Sequence, residues 1–305
     1  MDTVRGRFAP SPTGALHVGN LRTALVSWLH AVSLGGDWLV RFEDLDRVTA
    51  SVDHEHDQLA SLAALGMHPD GEVVRQSERF GLYHDSIATL RRLDRVYECY
   101  CTRREISEAA QAPHGDLPEG AYPGTCRTLS AEHRRRLVDA GRRPALRLLA
   151  GGERFAFTDL VTGYYEGGVD DVVLQRNDGI PAYNLAVVVD DAAQEVTHVV
   201  RGADLLTSTP RQRLLQVLLG LPEPTYAHVP LVLAPDGTRL AKRHGAVTLA
   251  DLAARGVQPG EVLARLGASL GLCAEHDETT ASDLAQRFCI EDIPRSPWQL
   301  DPADL

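Results

Sequence analysis

Lysine is almost absent from this sequence, and long apolar runs are absent altogether. The 305 residues include 31 basic side chains, of which only Lys242 is a lysine. Because arginine serves almost everywhere else, we expect the compact ammonium group to matter at that one position. No apolar stretch approaches the roughly 20 residues that a membrane-spanning helix needs, and the first residues do not resemble a secretory signal. The sequence therefore predicts a protein without membrane association.

Cysteine is also scarce, with five residues in the chain. Without a secretory context, these cysteines favour reduced thiols or a metal site rather than disulfides, so we expect a cytoplasmic protein. A hydrophobic content of 44% and a charged content of 24% are typical of globular proteins. A chain of 305 residues suffices for one large or two ordinary domains.

An overall excess of positive charge is missing. The formal net charge is −11, which argues against a protein that coats nucleic acid in general. The charge is uneven, because residues 91–154 contain 13 arginines and 9 acidic residues, a local balance of +4. A solvated helix face would explain any one arginine pair in this segment, such as Arg142 and Arg143. The segment as a whole is also compatible with a local contact to RNA.

The stretch from residue 7 to residue 20, RFAPSPTGALHVGN, predicts a short strand, a loop stiffened by proline and glycine, and the start of a helix. Apolar residues continue at helical spacing from Leu21 onwards. Such a turn directs backbone N–H groups and the positive end of the helix towards an anion, with His17 and Asn20 as side-chain donors. A proline-rich turn that merely starts a helix has the same pattern.

This stretch closely resembles the first signature of class I aminoacyl-tRNA synthetases, specifically of their glutamate-handling branch. The resemblance implies an α/β fold with a doubly wound, Rossmann-type parallel sheet. It also implies that ATP contacts Pro10, His17, Gly19 and Asn20. The family's tetrapeptide H-x-G-H ends here in asparagine, so part of the usual transition-state stabilisation is expected to be weaker or differently supplied.

A second strand is predicted over residues 38–42, and the acidic residues 43–46 follow it. Acids at the carboxyl end of a strand lie where α/β sheets bind ligands, although a capped loop has the same composition. The resemblance implies that Glu43 receives the α-ammonium group of a bound amino acid. Amphipathic helices are predicted over about residues 52–66 and 77–96.

The second half of the predicted sheet begins at residues 171–176. Two later runs, PAYNLAVVVDD from residue 181 and RGADLLTSTPRQ from residue 201, closely match the glutamate-binding half of the family. They imply that Tyr183 and Arg201 line an amino-acid pocket, together with Arg7 and Ser11. A dicarboxylate needs guanidinium partners, and Arg7 and Arg201 are able to bind its carboxylates bidentately.

Three cysteines, Cys99, Cys101 and Cys126, lie within 28 residues and bracket glycine- and proline-rich turns. This pattern favours one tetrahedral zinc ion, with buried free cysteines as the alternative. General chemistry makes His114 the best candidate for the fourth ligand. The pattern C-x-C…Y-x₃-C, however, resembles the zinc site of truncated glutamyl-tRNA synthetase paralogues, the glutamyl-queuosine tRNA(Asp) synthetases, which implies Tyr122 as the fourth ligand.

The run from Arg239 to Ala246 resembles the second class I signature in its glutamyl form. Lys242 would place a positive charge on the phosphates of ATP, and Arg239 stands where the family's first lysine is usual. Ala241 replaces a small hydroxyl residue and so removes one possible hydrogen bond to phosphate. A positively charged surface loop is the alternative interpretation.

The resemblance covers nearly the whole chain and suggests four parts. Residues 1–97 and 175–247 are the two halves of the Rossmann catalytic domain, and residues 98–174 are an inserted zinc- and acceptor-binding domain. Residues 248–305 are a short C-terminal helical segment that contacts the RNA stem, with an extended tail over residues 294–298. We expect no anticodon-binding domain.

The expected function is ATP-dependent activation of L-glutamate to glutamyl-adenylate, followed by transfer of glutamate to the queuosine base of tRNA(Asp). The catalytic residues would be His17, Asn20 and Lys242, with Mg²⁺ bound to ATP and one structural zinc ion per chain. We expect a monomer. The alternatives are a 3′-end glutamyl-tRNA synthetase without an anticodon domain and a non-catalytic paralogue that binds tRNA or glutamate. A zinc hydrolase is disfavoured because it needs an open coordination position.

Overall fold

The computed structural model describes residues 3–109, 121–240 and 247–304. Within these ranges the strands are β1 (Arg5–Phe8), β2 (Asp37–Phe42), β3 (Val74–Arg75), β4 (Val96–Cys99), β5 (Ala145–Leu148), β6 (Arg154–Asp159), β7 (Gly163–Gly168), β8 (Val173–Gln175), β9 (His198–Gly202), β10 (Thr225–Val229), β11 (Val232–Leu233) and β12 (Trp298–Gln299). The helices are α1 (Val18–Ser33), α2 (Val52–Ala64), α3 (Phe80–Arg92), α4 (Arg103–Ala109), α5 (Ala131–Asp139), α6 (Tyr183–Ala193), α7 (Thr209–Leu219), α8 (Leu249–Ala254), α9 (Pro259–Ala268) and α10 (Ala281–Ala285).

A seven-stranded sheet in the order β3-β2-β1-β9-β10-β6-β7 forms the centre of the fold. Its strands are parallel except for β7, which runs antiparallel to β6. Gly6 of β1 pairs with Trp38 on one side and with His198 on the other. The strand order therefore reverses between β1 and β9, and α/β sheets bind ligands at the carboxyl ends of the strands at such a point. The predicted α/β class with a mostly parallel sheet is confirmed.

Helix α1 follows β1 and packs along the centre of the sheet. Its apolar positions Leu21 and Leu25 are completely buried, as their spacing predicts. Ser27 ties the helix to the sheet, because its Oγ donates to the carbonyl of Arg7 and accepts from Trp38 Nε1, each at 3.0 Å. These hydrogen bonds join α1 to β1 and β2 close to the point where the strand order reverses.

The predicted insertion differs from the observed sheet topology. Strands β4, β5 and β8 form a separate three-stranded antiparallel sheet. Residues 154–168, which fall inside the insertion expected over residues 98–174, extend the seven-stranded sheet, where Asp159 pairs in parallel with Tyr226. Phe157 packs against the ring of Tyr226, with 5.4 Å between the ring centroids. That long-range contact has no local sequence signal.

Three smaller predictions also differ from the structure. The strand predicted over residues 171–176 contains β8, which pairs with β5 and not with the main sheet. The helix predicted over residues 77–96 ends at Arg92, because Asp94 has a left-handed φ of 55° and β4 follows at once. The tail predicted over residues 294–298 leads into β12, which pairs in parallel with β11.

The part of the chain after residue 247 packs against the first half of the sheet. Leu252 of α8, Leu263 of α9 and Leu284 of α10 belong to the same buried cluster as the apolar face of α1. Among the helices that the structure describes, none is long and apolar enough to cross a membrane.

Candidate active site

A cavity of about 740 Å³ opens at the carboxyl ends of β1 and β9. It is walled by the loop between β1 and α1, the start of α1 and the segments that follow β2 and β9. Ten residues singled out from the sequence line it: Arg7, Pro10, Ser11, His17, Gly19, Asn20, Glu43, Tyr183, Arg201 and Arg239. Lys242 and Ala241 lie outside the described residues. Segments far apart in the sequence therefore meet in one cavity.

His17 and Asn20 cap the N-terminus of α1 reciprocally. The Asn20 N–H donates to His17 Nδ1 at 3.2 Å, and the His17 N–H donates to Asn20 Oδ1 at 3.2 Å. Because Nδ1 accepts, a neutral His17 carries its proton on Nε2. The cap therefore uses the Nδ1 acceptor of His17 and the Oδ1 acceptor of Asn20, and both residues line the cavity. A Cβ on Gly19 would lie only 3.0 Å from His17 Cε1, so glycine leaves room for the ring.

Gln58 on α2 fixes the loop between β1 and α1. Its side chain is 1% exposed, and Nε2 donates to the carbonyls of Ser11 at 3.1 Å and Gly14 at 2.7 Å. The Glu43 N–H also donates to the carbonyl of Pro10 at 2.9 Å. These hydrogen bonds hold the loop in place, so contacts within the protein itself fix the backbone surface that faces the cavity.

A buried charge network lies behind the cavity. Asp191 Oδ1 accepts from Arg7 Nε at 3.2 Å and from Arg41 NH2 at 2.8 Å. Burial opposes ionisation of Asp191, but the two guanidinium groups outweigh it and hold the pKa of the carboxyl below its usual value. Arg41 is completely buried and its Nε is also 3.8 Å from Asp190. The network keeps Arg7 in a fixed orientation at the end of β1.

Glu43 and Asp204 both line the cavity, and Glu43 is the more buried of these two acidic residues. Burial raises the pKa of Glu43 to about 7, although nearby Arg41 and Arg7 act in the opposite direction. The distance from Arg41 NH2 to Glu43 Oε1 is 3.9 Å, too long for a hydrogen bond. The ionised carboxylate is therefore incompletely compensated by the protein, which suits it to an ammonium ligand.

Arg201 at the end of β9 is the second guanidinium on the cavity wall. The side chain is nearly buried, and its nitrogens donate to three neutral acceptors: Nε to His228 Nε2 at 3.0 Å, NH1 to Gln212 Oε1 at 2.8 Å and NH2 to Thr209 Oγ1 at 2.8 Å. Among the described residues, no carboxylate lies within 4.0 Å of this guanidinium. Arg201 differs in this from Arg7, which pairs with Asp191. An anionic ligand is the natural counter-charge for Arg201.

Arg239 stands at the rim of the cavity, where it pairs with Asp204 at 2.7 Å. The Arg239 side chain is 58% exposed, so this ion pair is weak. A polyphosphate would compete readily for the guanidinium. The arrangement leaves Arg239 able to serve an anion at the mouth of the cavity.

The cysteine cluster lies away from the cavity, where β4 meets the segment around residues 121–126. The Sγ atoms of Cys99, Cys101 and Cys126 are all within 4.8 Å of one another. Tyr122 Oη lies 3.3 Å from the sulfur of Cys99 and 3.5 Å from that of Cys101. A tetrahedral zinc site with bonds of about 2.3 Å has sulfurs about 3.8 Å apart. These four donors fit such a site, whereas His114 lies outside the described residues.

Several residues of the site were not identified from the sequence. Arg41, Asp159 and His228 lie behind the cavity wall and Gln58 lies in it, and all four act through contacts with residues distant in the sequence. The one available signal was a charged residue in the middle of an otherwise apolar strand, as at Arg41, since such a charge persists only when it is paired.

Comparisons with known proteins agree with this geometry. The family model for class I tRNA synthetases (E and Q), catalytic domain, matches residues 3–305. The glutamyl-Q tRNA(Asp) synthetase of Nocardia farcinica is 57% identical over 97% of this chain and 92% of its own length. That of Symbiobacterium thermophilum is 47% identical over 98% of this chain and 96% of its own length.

A solved structure has the same fold. The glutamate-tRNA synthetase from Elizabethkingia anophelis superimposes with a TM-score of 0.83 at 27% sequence identity. The match covers 99% of this chain and 69% of that protein. The likeness extends across both halves of the central sheet.

Proposed function

This chain belongs to the class I tRNA synthetases for glutamate and glutamine, and among them to the glutamyl-Q tRNA(Asp) synthetases, and from that premise we infer that it activates L-glutamate with ATP and transfers the glutamyl group to the queuosine base of tRNA(Asp). One observation carries the inference beyond family membership. The cavity combines an amino-acid half, with Glu43 and Arg201, and a phosphate half, with His17, Asn20 and Arg239. The reaction needs both ligands side by side.

Glutamate binding follows from the charges of the cavity wall. We propose that Glu43 receives the α-ammonium group and that Arg7 and Arg201 bind the two carboxylates. Arg7 is already neutralised by Asp191 at 3.2 Å, whereas the hydrogen-bond partners of Arg201 within the described ranges are all neutral. Arg201 therefore gains more from a carboxylate than Arg7 does. Tyr183 and Ser11 complete the pocket.

Activation is an in-line displacement. The α-carboxylate oxygen of glutamate forms a bond to the α-phosphorus of ATP, and the bond to the pyrophosphate oxygen breaks with its electron pair. The nucleophile is already charged, so the protein mainly positions it and stabilises the phosphate charge that develops. His17 and Asn20 would donate N–H groups from the start of α1, where the helix dipole also favours an anion. Arg239 and Lys242 would bind the outgoing pyrophosphate, to which Mg²⁺ adds its charge.

Transfer uses the same pocket. A hydroxyl of the queuosine base attacks the carbonyl carbon of the mixed anhydride, AMP leaves with the electrons of the broken C–O bond, and the hydroxyl proton passes to a phosphate oxygen of the departing AMP. Holding the adenylate and the hydroxyl in one cavity makes this step effectively intramolecular. The proposal that tRNA(Asp) is the acceptor is supported by the names of the relatives.

We propose a structural zinc ion held by Cys99, Cys101, Tyr122 and Cys126. The ion, when bound, would tie the end of β4 to the segment before α5. The Tyr122 ring also stacks on the Arg147 guanidinium, with 3.7 Å from Cζ to the ring centroid. This stacking holds the phenol in place beside the three sulfurs.

Helix α5 is the proposed RNA contact of this region. It buries none of its residues and carries the consecutive arginines Arg134, Arg135 and Arg136. A helix without an apolar face gains little from packing, and its arginines are placed to bind phosphates. We propose that the protein works as a monomer in the cytoplasm.

The decisive assay incubates the protein with ATP, labelled glutamate and tRNA(Asp), either with queuosine or with guanine at that position. The proposal is supported if label appears only on the tRNA that contains queuosine and remains there after the 3′-terminal adenosine is removed. Label on the 3′ end of tRNA(Glu) would identify a 3′-end synthetase instead. Arg201→Gln serves as the control for glutamate binding and should abolish labelling on either acceptor.

A further inference from the structure

His228 on β10 is a buried histidine whose protonation pattern is fixed by its two neighbours. Nδ1 lies 2.6 Å from Asp159 Oδ2, and Nε2 lies 3.0 Å from Arg201 Nε. An arginine nitrogen only donates, so His228 Nε2 must accept, and the ring proton sits on Nδ1 and is donated to Asp159. Burial lowers the pKa of His228 and outweighs the hydrogen bond that the ring donates to Asp159, so the ring stays neutral.

Asp159 is in turn held by backbone groups. Its Oδ1 accepts from the N–H groups of Val161 at 3.0 Å, Thr162 at 2.9 Å and His228 at 3.1 Å. Burial raises the pKa of the Asp159 carboxyl, but the hydrogen bond from the His228 side chain, together with these backbone hydrogen bonds, holds the pKa below its usual value. The carboxylate therefore stays ionised and offers Oδ2 to the imidazole in one orientation.

The consequence lies at Arg201. A guanidinium has five N–H groups, and the contacts with His228, Thr209 and Gln212 use three of them. Thr209 Oγ1 is also 3.3 Å from His228 Nε2. The two acceptors, His228 Nε2 and Thr209 Oγ1, therefore lie side by side along the edge of the guanidinium that contains Nε and NH2. In the described part of the chain, one N–H on each terminal nitrogen has no acceptor and is left for a carboxylate of the ligand. The contact with His228 sets the plane of the guanidinium and so the direction of these two N–H groups.

We propose that Asp159 and His228 form a positioning pair that orients Arg201 for the dicarboxylate substrate and so favours an acid over its amide. The pair supplies Arg201 with an acceptor that carries no charge, which leaves the positive charge of the guanidinium for the ligand. A carboxylate directly on Arg201 would have neutralised it, as Asp191 does for Arg7. This proposal rests on the proposed function, because it assumes glutamate in the cavity.

Asp159→Asn tests the pair through the tautomer. Asparagine still accepts the backbone N–H groups through Oδ1, but its Nδ2 would donate to His228 Nδ1 and move the ring proton to Nε2. That N–H would then face the N–H of Arg201. We expect the Kd for glutamate, measured by calorimetry on the full chain, to rise about 10- to 100-fold, the range for one charge-assisted hydrogen bond. The KM for ATP in pyrophosphate exchange should stay within about threefold.

His228→Gln provides the rescue, because glutamine offers an amide oxygen near the position of Nε2 and has no tautomer. We expect a near wild-type Kd for glutamate in His228→Gln, and almost no further loss when Asp159→Asn is added. His228→Leu removes the acceptor and should match Asp159→Asn. Tyr226→Phe, on the same strand, is the control for packing, since it loses only the hydrogen bond from Gln216 at 3.0 Å.

The competing outcomes are distinct. A change of less than threefold in Kd for folded Asp159→Asn, or the same loss in the wild-type and His228→Gln backgrounds, would overturn the positioning role. A parallel rise in the KM for ATP would indicate general damage and would overturn it as well. If the wild-type protein binds glutamate but exchanges no pyrophosphate, the proposed function fails while the binding data still decide this inference.

Discussion

Glu43 should make the protein less stable at the pH at which it works, and Glu43→Gln measures by how much. Burial raises the pKa of Glu43 from 4.5 to about 7. The folded state therefore holds the Glu43 proton more tightly than the unfolded chain does. The stability that comes from this bound proton is complete below pH 4.5 and is lost as the pH rises through 7. The difference of 2.5 pH units (7 − 4.5) corresponds to about 3 kcal/mol.

Glutamine is uncharged at every pH and has the shape of the protonated acid. We expect the free energy of unfolding of Glu43→Gln to exceed that of the wild type by up to about 3 kcal/mol at pH 8 and to equal it near pH 4. Glutamate affinity should change in the opposite direction, with a Kd about 10- to 100-fold higher, because an amide does not neutralise the α-ammonium group.

Urea unfolding at pH 4, 6 and 8 and calorimetric titration with glutamate provide both measurements. Glu78→Gln is a matched control on an exposed glutamate, whose side chain is 65% accessible, and it should change neither quantity. A Glu43→Gln protein that is equally stable or less stable than the wild type at pH 8 would refute the argument that burial penalises this carboxylate.

The remaining predictions concern the network, the metal and the RNA surface. Asp191→Asn should lower the free energy of unfolding by about 3–5 kcal/mol at pH 7, because the buried guanidinium groups of Arg7 and Arg41 lose the carboxylate that they share. In urea unfolding, the difference in stability from the wild type should become smaller only below pH 3.8. Cys126→Ser should reduce zinc measured by mass spectrometry from one ion per chain towards none, whereas Cys273→Ser should retain it. Replacing Arg135 and Arg136 by glutamine should raise the KM for tRNA several-fold and flatten its dependence on salt; an unchanged salt dependence would exclude α5 from the RNA contact.

The first half of the site could be predicted because its residues are close in the sequence. The spacing between Arg7, His17 and Asn20 fixes a strand, a turn and a helix start, and the structure brings these residues to one cavity wall. The resemblance added Glu43 and Arg201, which local patterns alone did not distinguish from packing or surface residues. Their roles remain predictions.

The supporting residues could not be predicted, since their functions depend on partners far away in the chain. His228 contacts Arg201 across two neighbouring strands and Asp159 on a third. The place of the β6–β7 hairpin at the edge of the main sheet could not be predicted for the same reason. Its alternating pattern indicates that one face is buried, but it does not indicate which strand the hairpin pairs with. The reciprocal cap between His17 and Asn20 could likewise not be predicted, because a capping box usually pairs serine or threonine with glutamate or glutamine.

Glutamate-dependent exchange of labelled pyrophosphate into ATP, without tRNA, tests most directly whether the cavity activates an amino acid. We expect exchange with glutamate and little with glutamine by the wild-type protein, and a loss of at least about 100-fold in both His17→Ala and Arg201→Gln. Absence of exchange by the folded wild-type protein, or exchange that persists in both variants, would contradict this expectation.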